Sequence, residues 1–258
     1  MLLLHPQVFL TEAKDLYYFS RYYDRGLDWY CRQFRGSAPH HLVVGEVCPD
    51  YLACPEAPAR IKESLGTRVT LMATLREPVS RAFSSFLYLR KHGLAPPSFI
   101  EAVRSIPQLT DEGRYATQLS RYAEWLGPGA VQVSLFDDLQ KDPQAFFDTI
   151  TDGLRLRRMT LEPHLLEAKL PASRARLLPV AMAVQRTAGW VRQHDGTELV
   201  GRIKRSPLVQ QVLYKPLATG QSEMSSDAVD LIRERLAGEV AALERDHGLS
   251  VIDRWGWK

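Results

Sequence analysis

The stretch Leu75-Arg76-Glu77-Pro78-Val79-Ser80-Arg81-Ala82-Phe83-Ser84 sets a guanidinium where an apolar segment runs into a proline-initiated one. Residues 69–75 are nearly continuous in apolar or β-favouring types, which predicts a buried strand. Pro78 suits the first turn of a helix, where its missing N–H is not needed. An arginine at such a junction can grip a phosphate with two hydrogen bonds, and the helix N-terminus adds its dipole and unbonded N–H groups. Ligands of open α/β sheets gather beyond the carboxyl ends of the strands, which is where Arg76 falls. The same pattern also fits a plain strand-to-helix turn whose Arg76 makes a surface ion pair. Spacing alone leaves both readings open.

Two further segments read as buried strands: residues 42–46, and residues 130–135 after the turn Gly127-Pro128-Gly129. Helical periodicity falls between and after them. Residues 78–91 carry Val79, Phe83, Phe86 and Leu87 on one face and stop near Gly93. Residues 113–126 place Tyr115, Leu119, Tyr122 and Leu126 on another, and Pro143 opens a helix to Gly153. Ser225 or Ser226 caps a last helix with Val229, Ile232, Leu236, Val240 and Leu243 inward and Gly248 as its stop. Alternating strands and helices predict an α/β sandwich. Residues 160–222, with five prolines and the basic run Arg202-Ile203-Lys204-Arg205, read as a helical excursion and a solvated loop. The chain is expected to form one domain over residues 1–258.

Composition narrows the function classes. The chain has 258 residues, 45% hydrophobic and 24% charged, enough for one sizeable core. A net charge of +3 is too small an excess for a nucleic-acid coat, though it allows a local basic pocket. Cys31, Cys48 and Cys54 suit neither a disulfide framework nor a zinc site, and point to a reducing, cytoplasmic setting without a metal. No run approaches the roughly 20 apolar residues of a spanning helix. Met1-Leu2-Leu3-Leu4 reads as the last turn of a helix rather than a signal segment. The aromatic stretch Tyr17-Tyr18-Phe19, Tyr22-Tyr23 and Trp29-Tyr30 fits a protein-binding patch or packing around a cleft equally well.

Several segments together carry a resemblance. Arg76-x-Pro78-x-x-Arg81-Ala82-x-Ser84 looks like the 3′-phosphate motif of sulfotransferases that use 3′-phosphoadenosine 5′-phosphosulfate (PAPS). His5-Pro6-Gln7-Val8-Phe9 through Lys14-Asp15-Leu16-Tyr17-Tyr18-Phe19 resembles that family's "HPxI…KExHFF" segment. Gly26-Leu27-Asp28-Trp29-Tyr30 resembles "GLDWY", Gly45-Glu46-Val47-Cys48-Pro49-Asp50-Tyr51-Leu52 resembles "GExSPxYL", and residues 133–143 resemble its "EdL..dP" segment. Tyr214-Lys215-Pro216-Leu217 and the closing helix also fit. The matches run in order over most of the chain, which makes the resemblance specific.

The resemblance implies a P-loop-type three-layer sandwich, a central parallel sheet flanked by helices, and transfer of a sulfuryl group from PAPS to a hydroxyl or amine. It assigns Arg76 and Ser84 to the 3′-phosphate and leaves Arg81 as a structural contact. It assigns the general base of the glycan-modifying relatives to Asp15, one methylene shorter than their glutamate. Lys14 then faces the sulfate, the acceptor or solvent. The chain departs from the pattern at Tyr17, where relatives have histidine, and at Val47, where some have lysine. The family's "PKxGTT" loop, which cradles the 5′-phosphosulfate, has no counterpart, since Ala218-Thr219-Gly220-Gln221-Ser222 does not reproduce it. The expected fold therefore lacks its first strand. The two functional expectations are an active enzyme whose natural start lies upstream, and an inactive module binding only the nucleotide. A nucleotide kinase shares the sheet type, but no lid motif is visible. Expected partners are a small-molecule, glycan or lipid acceptor and a second copy of the chain meeting an exposed strand edge.

Overall fold

Strands appear where β-branched runs lie between turn residues, and helices where proline or a polar cap opens an amphipathic stretch. The computed structural model describes residues 1–11, 13–166, 173–175, 214–216 and 224–257. In chain order the elements are β1 (Val8–Leu10), α1 (Gly26–Arg32), β2 (Val43–Gly45), α2 (Asp50–Ala53), α3 (Ala57–Leu65), β3 (Leu71–Leu75) and α4 (Pro78–Lys91). There follow α5 (Phe99–Ser105), α6 (Gln108–Asp111), α7 (Tyr115–Leu126), β4 (Val131–Leu135), α8 (Phe136–Lys141), α9 (Pro143–Gly153) and α10 (Pro163–Leu166). The last are β5 (Ser173–Ala175), β6 (Tyr214–Pro216), α11 (Ser226–His247) and α12 (Ile252–Trp255). The basic run at residues 202–205 and the 218–222 stretch lie outside the described residues. Two compact units result, Met1–Arg76 with Tyr115–Lys169, and Glu77–Arg114 with Leu170–Lys258.

The first unit holds the parallel strands. β1 pairs with β2, Val8 opposite Val43 and Leu10 opposite Gly45. β3 pairs with β4, Leu71 opposite Val131 and Leu75 opposite Leu135. The fold is thus α/β with parallel pairing, divided into two two-stranded ladders rather than one continuous sheet among the described residues. Leu42, Val44 and Val47, on or beside β2, accordingly stay exposed. At the start of the chain Leu2–Leu4 is a single 3-10 turn, pinned by His5. The buried His5 ring donates from Nε2 to the Arg157 carbonyl (2.8 Å) and accepts the Gln7 N–H at Nδ1 (3.2 Å), which selects its neutral Nε2-protonated form.

The core of this unit is aromatic. Leu16, Tyr18, Phe19, Trp29, Tyr30, Ala57, Ile61 and Tyr122 form one buried cluster. The Tyr18 and Tyr30 rings stack at 4.6 Å, and Phe19 meets Tyr18 edge-on at 4.9 Å. Each such pair adds about 1 kcal/mol beyond its buried area. These rings are interior packing and do not form a surface patch.

The second unit is mainly helical. α4 buries Pro78, Val79, Ala82 and Phe86, and Phe83, Phe86 and Phe99 meet at centroid distances of 5.1–6.0 Å. α11 turns Ala228, Ile232, Leu236, Val240 and Leu243 inward. Ala228 thus occupies the inner position expected of Val229. Gly248 ends α11 with φ 67°, the left-handed backbone that favours glycine. β5 and β6 pair antiparallel.

Candidate active site

Beyond β1 the chain makes a tight turn that presents Lys14 and Asp15. Lys14 is exposed and Asp15 half-buried. Asp15 has φ 58° and Tyr17 has φ 55°, so two non-glycine residues flanking Leu16 sit in the left-handed region. Such a residue costs about 1–3 kcal/mol and persists only where surrounding contacts over-determine it.

Those contacts come from the carboxyl end of β2. The Thr11 N–H donates to the Gly45 carbonyl (3.3 Å) and the Asp15 N–H to the Val47 carbonyl (3.2 Å). The Tyr18 N–H donates to the Tyr51 hydroxyl (2.9 Å), which itself donates to Glu46 Oε1 (2.8 Å). Tyr51 is held in turn by the Tyr122 hydroxyl, which donates to its carbonyl (2.9 Å). Downstream, Arg60 donates to the Phe19 and Ser20 carbonyls, and Arg21 pairs with Asp50 at 2.5 Å and lies over the Tyr17 ring.

Electrostatically this corner disfavours negative charge. Burial raises the Glu46 pKa to about 7; hydrogen bonding from Tyr51, with the Tyr30 hydroxyl and the Leu16 N–H nearby, opposes the shift, and the Asp15 charge adds to it. Glu46 Oε2 is shut off from solvent and has no hydrogen-bond partner among the described residues. Burial likewise pushes the Cys48 thiol up to about 12 and the Tyr51 and Tyr30 hydroxyls well above the usual phenol range.

The other candidate residues lie at the end of β3. Arg76 follows Leu75, the last residue of β3, and its guanidinium lies 5.0 Å over the ring of Phe136, the residue that follows β4. The Tyr115 hydroxyl donates to the Arg76 carbonyl (2.9 Å). The surface ion pair left open by the sequence is not formed among the described residues. Arg76 is therefore a cation on an aromatic face at the carboxyl end of a parallel pair.

The start of α4 differs from expectation. Its N–H groups are not open to an anion, because Glu77 caps the helix, accepting from Val79 (3.0 Å) and Ser80 (2.6 Å). Trp257 Nε1 donates to the same carboxylate (2.9 Å). The reason is local: a carboxylate at the N-cap position reaches these donors without help from the rest of the chain. Arg81 is engaged structurally, pairing with Glu112 (2.8 Å) and donating to the Leu109 carbonyl. Ser84 lies on the exposed face of α4. Sequence reasoning missed Glu46 and Tyr51 as partners of the Lys14–Asp15 turn; the available signal was a carboxylate directly following an apolar strand.

No protein-family model matches the chain. It is 30% identical over 173 residues to heparan sulfate glucosamine 3-O-sulfotransferase 3B1 of Homo sapiens, covering 62% of this chain and 43% of that protein. It is 31% identical over 172 residues to heparan sulfate glucosamine 3-O-sulfotransferase 6 of Mus musculus, covering 62% and 48%. A shorter stretch of 98 residues is 31% identical to the membrane-associated sulfotransferase kil1 of Dictyostelium discoideum, covering 36% and 21%. The chain spans less than half the length of these relatives. Its fold is similar to that of a sulfotransferase from Alicyclobacillus acidocaldarius, with TM-score 0.56 and 20% identity over 77% of this chain and 87% of that one. The sequence is thus similar to sulfotransferases over 62% of its length, and the α/β fold is shared with a solved sulfotransferase. Among the described residues no helix is long and apolar enough to cross a membrane.

Proposed function

We propose that the chain acts in sulfuryl transfer from PAPS to a hydroxyl or amine, with a glycan as the favoured acceptor class. The relatives' names support the acceptor class, being glucosamine 3-O-sulfotransferases. In this reading the acceptor oxygen or nitrogen forms a bond to sulfur as the bond from sulfur to the phosphosulfate bridging oxygen breaks. The acceptor proton passes to the Asp15 carboxylate, and adenosine 3′,5′-bisphosphate leaves. Such a transfer asks the protein mainly to align the reactants and neutralise charge. Lys14 supplies a cation beside the base. Arg76 is assigned to the 3′-phosphate, and Ser84 joins it by its place in the sequence motif.

The observation that carries the donor half is Arg76, whose guanidinium makes no ion pair among the described residues and is steadied by Phe136. The α4 N-terminus does not fit an anion as it stands, because Glu77 already holds its donors. The nucleotide is therefore expected to rely on Arg76 more than on the helix. Calorimetry with adenosine 3′,5′-bisphosphate and transfer assays with radiolabelled PAPS and heparan-type acceptors test the reading together. Tight nucleotide binding with transfer supports it, and tight binding without transfer to any acceptor points to the nucleotide-binding module instead. Unchanged affinity in Arg76→Ala removes the donor assignment.

A further inference from the structure

The Lys14–Asp15 turn holds its strained backbone through residues more than thirty positions away. Asp15 reaches the carbonyl of Val47, while the Tyr18 N–H ends on the Tyr51 hydroxyl and that hydroxyl on Glu46 Oε1. Glu46 and Val47 are consecutive, so one short segment leaving β2 grips the turn at both of its ends. Tyr18 is buried at 2% exposure and stacked on Tyr30, which leaves its amide little room to find another acceptor. If the Tyr51 hydroxyl moves, the Tyr18 amide loses its acceptor inside an apolar cluster, at a cost that favours letting the turn relax. Relaxation releases the positive φ angles of Asp15 and Tyr17 and swings the Asp15 carboxyl away from its present direction.

We propose that Glu46 is a positioning residue: through Tyr51 it locks the Lys14–Asp15 turn and so sets where the Asp15 carboxyl meets the acceptor. The proposal rests on the reading of Asp15 as the acceptor-side base. Glu46 acts in this role through its Oε1 acceptor, and either protonation state can accept the Tyr51 hydroxyl proton. The groups that face Glu46 are the Tyr51 and Tyr30 hydroxyls, the Asp15 carboxyl, the Cys48 thiol and the Leu16 N–H. Burial in that company makes the charged form costly and moves the balance toward the neutral carboxyl.

The experiment compares Tyr51→Phe, Glu46→Ala and Glu46→Gln with the parent in the full chain. Amide hydrogen exchange at Asp15, referenced to the amides of α9, reads the lock without any assay of activity. Exchange at Asp15 is expected to quicken at least tenfold in Tyr51→Phe and Glu46→Ala, and to return to the parent value in Glu46→Gln, which keeps an acceptor oxygen. Turnover with PAPS is expected to fall about 10- to 100-fold in the first two variants and recover in the third, while affinity for adenosine 3′,5′-bisphosphate stays within twofold. Unchanged Asp15 exchange in both disruptive variants overturns the lock. Quickened exchange with undiminished turnover overturns its bearing on catalysis, provided Asp15→Asn is inactive. An active Asp15→Asn instead sinks the reading of Asp15 as the base, and the exchange data still decide whether Glu46 holds the turn.

Discussion

The two loops that follow β1 and β3 carry the candidate residues, and they are built in opposite ways. The β3 loop is local: Glu77 caps α4 from the adjacent position, and Pro78 sets the first turn. The β1 loop is assembled at long range, its backbone held by Val47 and Tyr51 against two positive φ angles. A locally built loop can be written in a few neighbouring residues and survives changes elsewhere. A loop built at long range depends on the register of β1 against β2, which makes it more sensitive and better able to hold a side chain in one direction.

The largest effect should come from the strained loop. Asp15→Asn is expected to cut transfer by at least 100-fold and leave affinity for adenosine 3′,5′-bisphosphate within twofold, measured by turnover and calorimetry. Asp15→Glu restores the carboxylate with a longer reach and should recover part of the loss. At the local loop, Arg76→Ala is expected to weaken that nucleotide at least tenfold, since a charge-assisted pair contributes about 1.5–3 kcal/mol. The two losses should fall on different measurements; if both variants lose nucleotide affinity alike, the division between the loops is wrong.

Stability against pH sharpens the contrast. The Glu46 pKa is raised from 4.5 when unfolded to about 7 when folded, so in that window the unfolded chain gives up its proton first. Stability from this residue is whole below pH 4.5 and lost as pH rises to about 7, at a cost on the order of 3 kcal/mol above it. Glu46→Gln should therefore gain stability over the parent at pH 8 and not at pH 4, as read by denaturant midpoints. Glu77→Ala, at the local loop, should lose about 1 kcal/mol of helix cap at neutral pH, with nucleotide affinity kept or improved as the α4 amides are freed.

The smallest effect separates functional strain from ordinary strain. Arg155 also has positive φ (55°) but is exposed just after α9. Arg155→Gly should be neutral or stabilising by up to about 1 kcal/mol, without touching turnover. Glycine at Tyr17 should relieve similar strain and lower turnover.

Legibility in the sequence follows the same division. The α4 span, the Pro143–Gly153 helix and the Gly248 end of α11 follow from proline, cap and glycine chemistry within a few residues, and all appear in the structure; α11 starts after Ser225 as expected, but the Ser225 side chain makes no capping hydrogen bond. β3 and β4 follow from unbroken apolar runs, and their parallel pairing from the helices between them. β1 was not legible as a strand, because three residues are too few for a period to show. The capping carboxylate of Glu77 was written in the sequence but reads equally as a flank of an anion site. The lock on Asp15 was hidden, since it joins residues 15–18 to 46–51 through a backbone shape no local pattern encodes. Ala228 and Val229 lie four and three residues before Ile232, so both fall near the inner stripe of α11, and local periodicity alone does not choose between them.

The indole of Trp257 sits against two charges at once, donating to Glu77 at 2.9 Å with the Arg233 guanidinium 5.8 Å from its ring. Indole emission shifts with the field around it, so this pair makes Trp257 a built-in optical probe of the start of α4. Any anion that displaced the Glu77 carboxylate would alter that field, and the change would vanish in Trp257→Phe. A spectral titration could then follow arrival of a donor molecule without any label.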